Sequence, residues 1–288
     1  LDEYAILDSK LDLGHYSYRV TSSGWDLTFN PNKFEVNNYD TSIINIAAID
    51  DYTGVGSITA VGTAVSTSSQ QNTVSVGTTT NIVSIATSYR SGKVLLMLED
   101  SNDNYLGNEL TFLHDGTTVH LLEYGGIRDN SNATFTGFGT YNSYLSGNNV
   151  KIDFIPDANT TALTANAQIT AISASETGIG TVALDVGRFR STYKSISSSS
   201  TPGFTTVATL SEPYDSGYYF INVTDSTNNV YESFELGVLR QGLETSAEFV
   251  EYANVSTGST IGEVNISENG TDLSITYKAK PSINVQVR

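Results

Sequence analysis

Cysteine is absent from this 288-residue chain, so disulfides and thiolate metal sites are excluded, and cysteine usage leaves the redox compartment open. Basic residues are scarce: 14 Lys and Arg face 31 Asp and Glu, for a net charge of −17. Such a surface repels phosphate, which argues against nucleic acid as a partner, and no basic amphipathic segment offers itself to an anionic membrane. Long apolar runs are missing too. Residues 94–98 form one of the strongest, far too short to span a bilayer, so no membrane insertion is expected. No window of about twelve residues carries a 3.6-residue apolar stripe, so helix should be nearly nil. Catalytic signatures are equally sparse. There is no G-x-S-x-G elbow, no P-loop, no dinucleotide fingerprint, and no carboxylate pair in an apolar setting that would raise one pKa. The chain reads as non-enzymatic and free of cofactors.

What the chain has is a long internal period. Pro31, Pro156 and Pro281 stand 125 residues apart, each closing an extended run (DLTFNP, KIDFIP, SITYKAKP). Glu3-Tyr4, Glu123-Tyr124 and Glu251-Tyr252 recur ahead of these prolines, TGVG from Thr53 matches TGIG from Thr177, and RSGKVLLMLEDSNDN from Arg90 matches DSGYYFINVTDSTNN from Asp215. A repeat this long is domain-sized rather than a solenoid or propeller unit. The register divides the chain into residues 1–49, the second half of an incomplete unit, and full units at 50–173 and 174–288. Residues preceding Leu1, or another chain, are expected to complete the first.

Within a unit, runs rich in β-branched and aromatic residues alternate with Gly, Asn, Asp and Ser every eight to twelve residues or so, the pattern of an all-β sandwich or barrel. Strands are expected near 57–65, 81–88, 92–100, 105–114, 117–124, 132–138, 149–155 and 165–172. About eight antiparallel strands suit a jelly-roll-like or Greek-key sandwich. The Ser/Thr/Gln segments at 66–72 and 195–201 are polar enough to read as exposed loops or hairpin ends.

Candidate sites are few. Of His15, His114 and His120, the last two flank the Asp115-Gly116 turn and could face each other, but the second unit has Arg240 at the position of His114, which favours a surface hairpin over a metal or catalytic site. Asp100, Asn102 and Asn104 alternate as the oxygen ligands of a calcium loop do. The flanking helices and the downstream Gly and Glu of such a loop are missing, and Asp225 opens a similar run in the other unit, so an Asx turn is the simpler reading. Sequons occur at Asn132, Asn159, Asn222, Asn254, Asn265 and Asn269, several expected by chance in so Asn- and Ser/Thr-rich a chain. Tyr16, Tyr18, Trp25, Tyr141 and Tyr144 cluster before the proline-bearing strands, where exposed rings would stack on sugars and buried ones would fill the core.

The run LHDGTTVHLLEY at residues 113–124, followed by Gly125-Gly126-Ile127 and SGNNVKIDFIP at 146–156, resembles a segment of virion structural proteins from contractile-tailed marine cyanophages. The similarity is clearest over residues 83–172, shrinks to LRQG and VEY in the third copy, and leaves only Glu3-Tyr4 in the first. It implies a virion component, in tail, fibre, baseplate or capsid decoration, whose partners are copies of itself and other virion proteins. It transfers no site residues. The rival expectations are an extracellular carbohydrate-binding adhesin that uses the Tyr/Trp cluster on a host surface glycan, and a polysaccharide-degrading tailspike.

Overall fold

Apolar side chains at every second position give these strands one face to bury. In the run from Lys93 to Asp100, Val94, Leu96 and Leu98 are fully enclosed while Lys93, Leu95 and Met97 point to the opposite side. The computed structural model describes residues 14–21, 24–31, 57–61, 65–102, 104–128, 137–158, 160–173, 180–184, 187–210, 216–225, 227–240, 247–269 and 272–287, and among them there is no helix. The fold is all-β, of sandwich type.

A hairpin of β1 (Gly14–Thr21) and β2 (Gly24–Pro31) comes first. The next group holds β3 (Ser57–Val61), β4 (Val65–Val74), β5 (Thr80–Ala86), β6 (Tyr89–Asp100), β7 (Tyr105–His114), β8 (Val119–Arg128), β9 (Gly139–Ser146), β10 (Asn149–Pro156) and β11 (Leu163–Ser173). A second hairpin, β12 (Gly180–Leu184) with β13 (Gly187–Ser191), precedes β14 (Lys194–Ile196), β15 (Thr205–Leu210), β16 (Ser216–Asp225), β17 (Val230–Arg240), β18 (Ala247–Ser256), β19 (Gly262–Asn269), β20 (Asp272–Ala279) and β21 (Val285–Val287).

Two sandwiches of the same plan result. In one, a sheet ordered β3-β4-β11-β6-β7-β8 covers a sheet ordered β5-β10-β9; in the other, β14-β21-β16-β17-β18 covers β15-β20-β19. Each larger sheet contains a Greek key, in which a three-strand meander (β6-β7-β8 or β16-β17-β18) is joined by a later strand (β11 or β21) that returns beside the first. The cores are separate. Val94, Leu96, Leu110, Phe112, Ile152 and Phe154 lie in the first, and Val223, Phe234, Leu236, Ile275, Tyr277 and Val285 in the second. Both small sheets even carry the same irregularity, a bulge at Ile82 opposite the step Ile152/Asp153 and at Val207 opposite the step Ile275/Thr276.

Three local outcomes depart from the sequence reading. Residues 66–72 are not a loop but lie in β4, hydrogen-bonded to β11 along its whole length. Two of their polar side chains reach the opposite sheet: Gln70 Nε2 donates to Ser84 O at 2.8 Å and Asn72 Nδ2 to Ile82 O at 2.9 Å. Of the corresponding segment at 195–201, only Ser195 and Ile196 are drawn into a strand, β14, and residues 197–201 stay outside it and exposed. The strand β9 is not signalled by periodicity, because its outward positions Thr140, Asn142, Tyr144 and Ser146 leave only Tyr141, Ser143 and Leu145 to face inward. Most of the strand expected at 132–138 lies outside the described residues.

The third proline is displaced. Gly139 pairs with Pro156 in β9–β10, as Gly14 pairs with Pro31, but Gly262 pairs with Ala279, 123 residues on from Pro156, and Pro281 sits in the turn beyond. The glycines mark the true register. A Cβ on Gly139 would run into the carbonyl oxygen of Ile155, and one on Gly262 into that of Lys278. Gly139→Ala and Gly262→Ala should therefore each cost about 1–3 kcal/mol or more by overpacking. Gly203→Ala, where a Cβ meets nothing within 4 Å, should stay within about 0.5 kcal/mol. Urea denaturation of the three variants checks this ranking.

Candidate functional site

The face of β6-β7-β8 that points away from its own core is not left to solvent. Lys93 from β6 reaches out of it and donates to three oxygens: Glu109 Oε2 on β7 at 2.8 Å, Glu235 Oε2 on β17 at 3.2 Å, and the hydroxyl of Tyr218 on β16 at 3.1 Å. Three ammonium protons meet three acceptors, two of them from the other sandwich. The rings of Tyr218 and Tyr124 stand 5.3 and 5.6 Å from Nζ and add a cation–π contribution. The Tyr124 hydroxyl, from β8, donates to the second carboxylate oxygen of Glu235.

Glu235 is the unusual member. Its side chain is 0% exposed, against 23% for Lys93 and 26% for Glu109. Burial pushes the Glu235 carboxyl above the ordinary glutamate range even though Lys93 and Tyr124 oppose the shift. Burial by itself would depress the Lys93 ammonium, but Glu235 and Glu109 together outweigh it and hold that group above the usual lysine value. Two carboxylates share one cation, so the seam keeps a negative excess. The Tyr124 and Tyr252 hydroxyls are pushed up, first by burial and then by Glu235, and stay protonated.

A second patch flanks this one. Leu113 and Leu122 of the first sandwich bury Tyr231 and Val255 of the second. The Arg90 guanidinium lies 4.4 Å above the Tyr231 ring. Its Nη1 also donates to the His114 carbonyl at 2.9 Å. His114 is itself buried, with Nε2 3.0 Å from the Tyr89 carbonyl; that oxygen can only accept, so Nε2 carries the proton and Nδ1 is left facing Arg90. Burial, then Arg90, lowers its pKa, which keeps the ring neutral.

The seam joins equivalent faces. Glu109 pairs across the ladder with Tyr124, and Glu235 pairs with Tyr252 in the same way. Lys93 and Tyr218 hold matching places on β6 and β16, 125 residues apart. This gives the recurring Glu-Tyr dipeptide its reason in both described copies: the tyrosine points into the seam, while the glutamate before it stays with its own sandwich. Glu123 accepts from Asn108 at 2.6 Å and Glu251 from Asn254 at 3.0 Å. Sequence reasoning flagged the dipeptide but missed Lys93, Glu109, Tyr218 and Glu235, because each is unremarkable until two sheets are superposed.

The sequence-predicted residues fare differently. Asp100 is buried in a turn that saturates it: its carboxylate accepts from Asn102 N at 2.8 Å, Asn104 N at 3.0 Å, the Asn104 side chain, and Thr161 Oγ1 at 3.1 Å. Burial acts against the charge, yet these donors hold its pKa below the ordinary value. Asp225 closes a related turn by accepting from Thr227 N and Asn228 N. Asn102 and Asn104 thus act as donors to Asp100, the arrangement of an Asx turn, and no cluster of three metal-ligating side chains occurs among the described residues.

His114 pairs with Val119 and Leu113 with His120, so the two histidines occupy adjacent ladder positions and point to opposite sides. Tyr141 faces the core, its ring 5.4 Å from that of Phe154 and its hydroxyl on Asn108, whereas Tyr144 is exposed on the other face of β9. These two do not form one platform. Tyr16, Tyr18 and Trp25 pair with Phe29, Leu27 and Val20 in the β1–β2 hairpin, and their side chains, like that of His15, lie outside the described residues. Among the sequons, Asn222 is buried and inaccessible, Asn254 and Asn265 are exposed, and Asn132, Asn159 and the Asn269 side chain are outside the described residues.

The LHDGTT run is a hairpin device. Asp115 accepts from Thr117 N, Thr117 Oγ1 and Thr118 N, each at 2.7 Å, which overcomes its partial burial and lowers its pKa to about 2. The chain matches no protein-family model, no curated protein and no solved structure at a significant level.

Two measurements probe this geometry. Lys93→Met leaves Glu235 buried without its cation and should cost about 3–5 kcal/mol at neutral pH. Because the folded pKa of Glu235 lies above the ordinary 4.5, that deficit is in full force above the raised value and narrows as acidification protonates the carboxyl. Adding Glu235→Gln to Lys93→Met should restore stability at neutral pH, read by chemical denaturation across pH. At the turn, Asp100→Ala should cost about 1–3 kcal/mol, while millimolar calcium leaves the wild-type melting temperature in place.

Proposed function

We propose that this chain is a non-enzymatic structural protein of a phage virion, acting through sheet faces and edges in an assembly of its own copies and other virion proteins. The observation that carries this reading is the seam: two Greek-key sandwiches are locked face to face by a half-buried cation, two carboxylates and two tyrosines. Lys93, Glu235 and Tyr124, each displaced from its ordinary pKa, are thereby engaged in holding the sandwiches together. A tandem of rigid bodies with a fixed joint suits a load-bearing part, such as a tail, fibre, baseplate or capsid-decoration element. The resemblance of the LHDGTT…EY run to cyanophage virion proteins supports the same reading. Its parts have mechanical explanations here: Leu113 packs in the seam, Asp115 closes the hairpin, and Tyr124 binds Glu235.

Immunogold labelling of purified cyanophage particles with antibody raised against this chain tests the proposal. Regularly spaced label on intact particles is expected. Label confined to the unassembled fraction of an infected lysate would overturn it.

A further inference from the structure

The two sandwiches differ at one corner, where the outer edge of the small sheet meets the large one. In the first, that edge is capped. Gln70 uses both ends of its amide on the β5 backbone, accepting from Ser84 N at 2.9 Å and donating to Ser84 O at 2.8 Å, while Asn72 Nδ2 takes the Ile82 carbonyl at 2.9 Å. These are the groups an edge strand leaves unpaired. The opposite corner is also covered, with Ser143 of β9 reaching the Val119 carbonyl of β8 at 3.5 Å.

Among the described residues of the second sandwich the caps are missing. Ladder register places Lys194 where Asn72 stands, opposite Val287 as Asn72 is opposite Ala165, so the place of Gln70 falls ahead of the start of β14, near Thr192. Thr209 and Val207 of β15 correspond to Ser84 and Ile82. A threonine side chain is shorter than that of glutamine, and Lys194, which could donate as Asn72 does, is exposed and bonds to no β15 backbone group among the described residues. The amide caps of the first sandwich therefore have no counterpart on the outward backbone groups of Val207 and Thr209.

We infer that the β15 edge pairs antiparallel with the β15 edge of a second copy of this chain, joining two β15-β20-β19 sheets across a two-fold axis. Charge selects that occupant. Each chain carries −17, yet residues 205–210, TTVATL, hold no charge, so two copies meet there without like charges opposed. The edges formed by β8, β18 and β19 each carry glutamates that self-pairing would set against one another. Phe204, 46% exposed at the start of β15, gains cover in the pair. Gln70 and Asn72 close the matching edge of the first sandwich, and a two-fold pairing that uses the same β15 edge of both copies closes as a dimer instead of a fibre.

Sedimentation velocity of the full chain over a concentration series tests this. A dimer is expected for the wild type. Thr209→Pro removes the outward N–H without touching the β20 ladder, and Thr206→Lys places a charge on the edge; both should sediment as monomers with an unchanged melting temperature. A wild-type monomer at every concentration, or a dimer that survives both substitutions, would overturn the inference. A dimer that dissociates as described while particles remain unlabelled would sink only the virion reading.

Discussion

A carboxylate with no solvent contact must be compensated or it unfolds its surroundings, and Glu235 is such a group. Its partners, Lys93 and Tyr124, belong to the other sandwich. Neither sheet can therefore satisfy its own outer face alone. A buried ionic contact of this kind adds little net stability over a well-packed apolar one, but it punishes misalignment severely. Sliding one sheet past the other by a residue would turn Lys93 away and leave the carboxylate alone, so the contact fixes how the two bodies meet.

The sandwiches themselves rely on ordinary means. Alternating apolar positions fill two separate cores, Asx turns at Asp100 and Asp225 reverse the chain at matching places, and glycines at 139 and 262 let neighbouring backbones approach. Side-chain amides do work in the first unit that backbone ladders do elsewhere. Polar residues such as Gln70 and Asn72 are thus structural, bound to the opposing sheet rather than to water.

How much of this the sequence discloses depends on the range of the interaction. Runs such as 92–100 and 105–114 announce themselves because β-branched and aliphatic residues alternate locally, and β6 and β7 lie there. The strand at 65–74 does not, since its amides look like loop residues until a second sheet supplies their partners. The proline period misleads by two residues at Pro281, where the strand ends at Ala279 and the proline falls in the turn. The seam was half legible. Glu-Tyr recurs visibly, but the Lys93 and Tyr218 that answer it differ between copies, and only the folded arrangement brings them within 3.1 Å.

That difference between copies bears on how such a gene can change. Positions 93 and 218 touch each other, one a cation and the other a phenol. Were unequal crossing-over to replace the later unit with a duplicate of the earlier one, a lysine would confront a lysine at the centre of the joint. Homogenising the copies is thereby penalised, and drift in one unit is constrained by its neighbour, so the two halves are held to divergent but reciprocal histories.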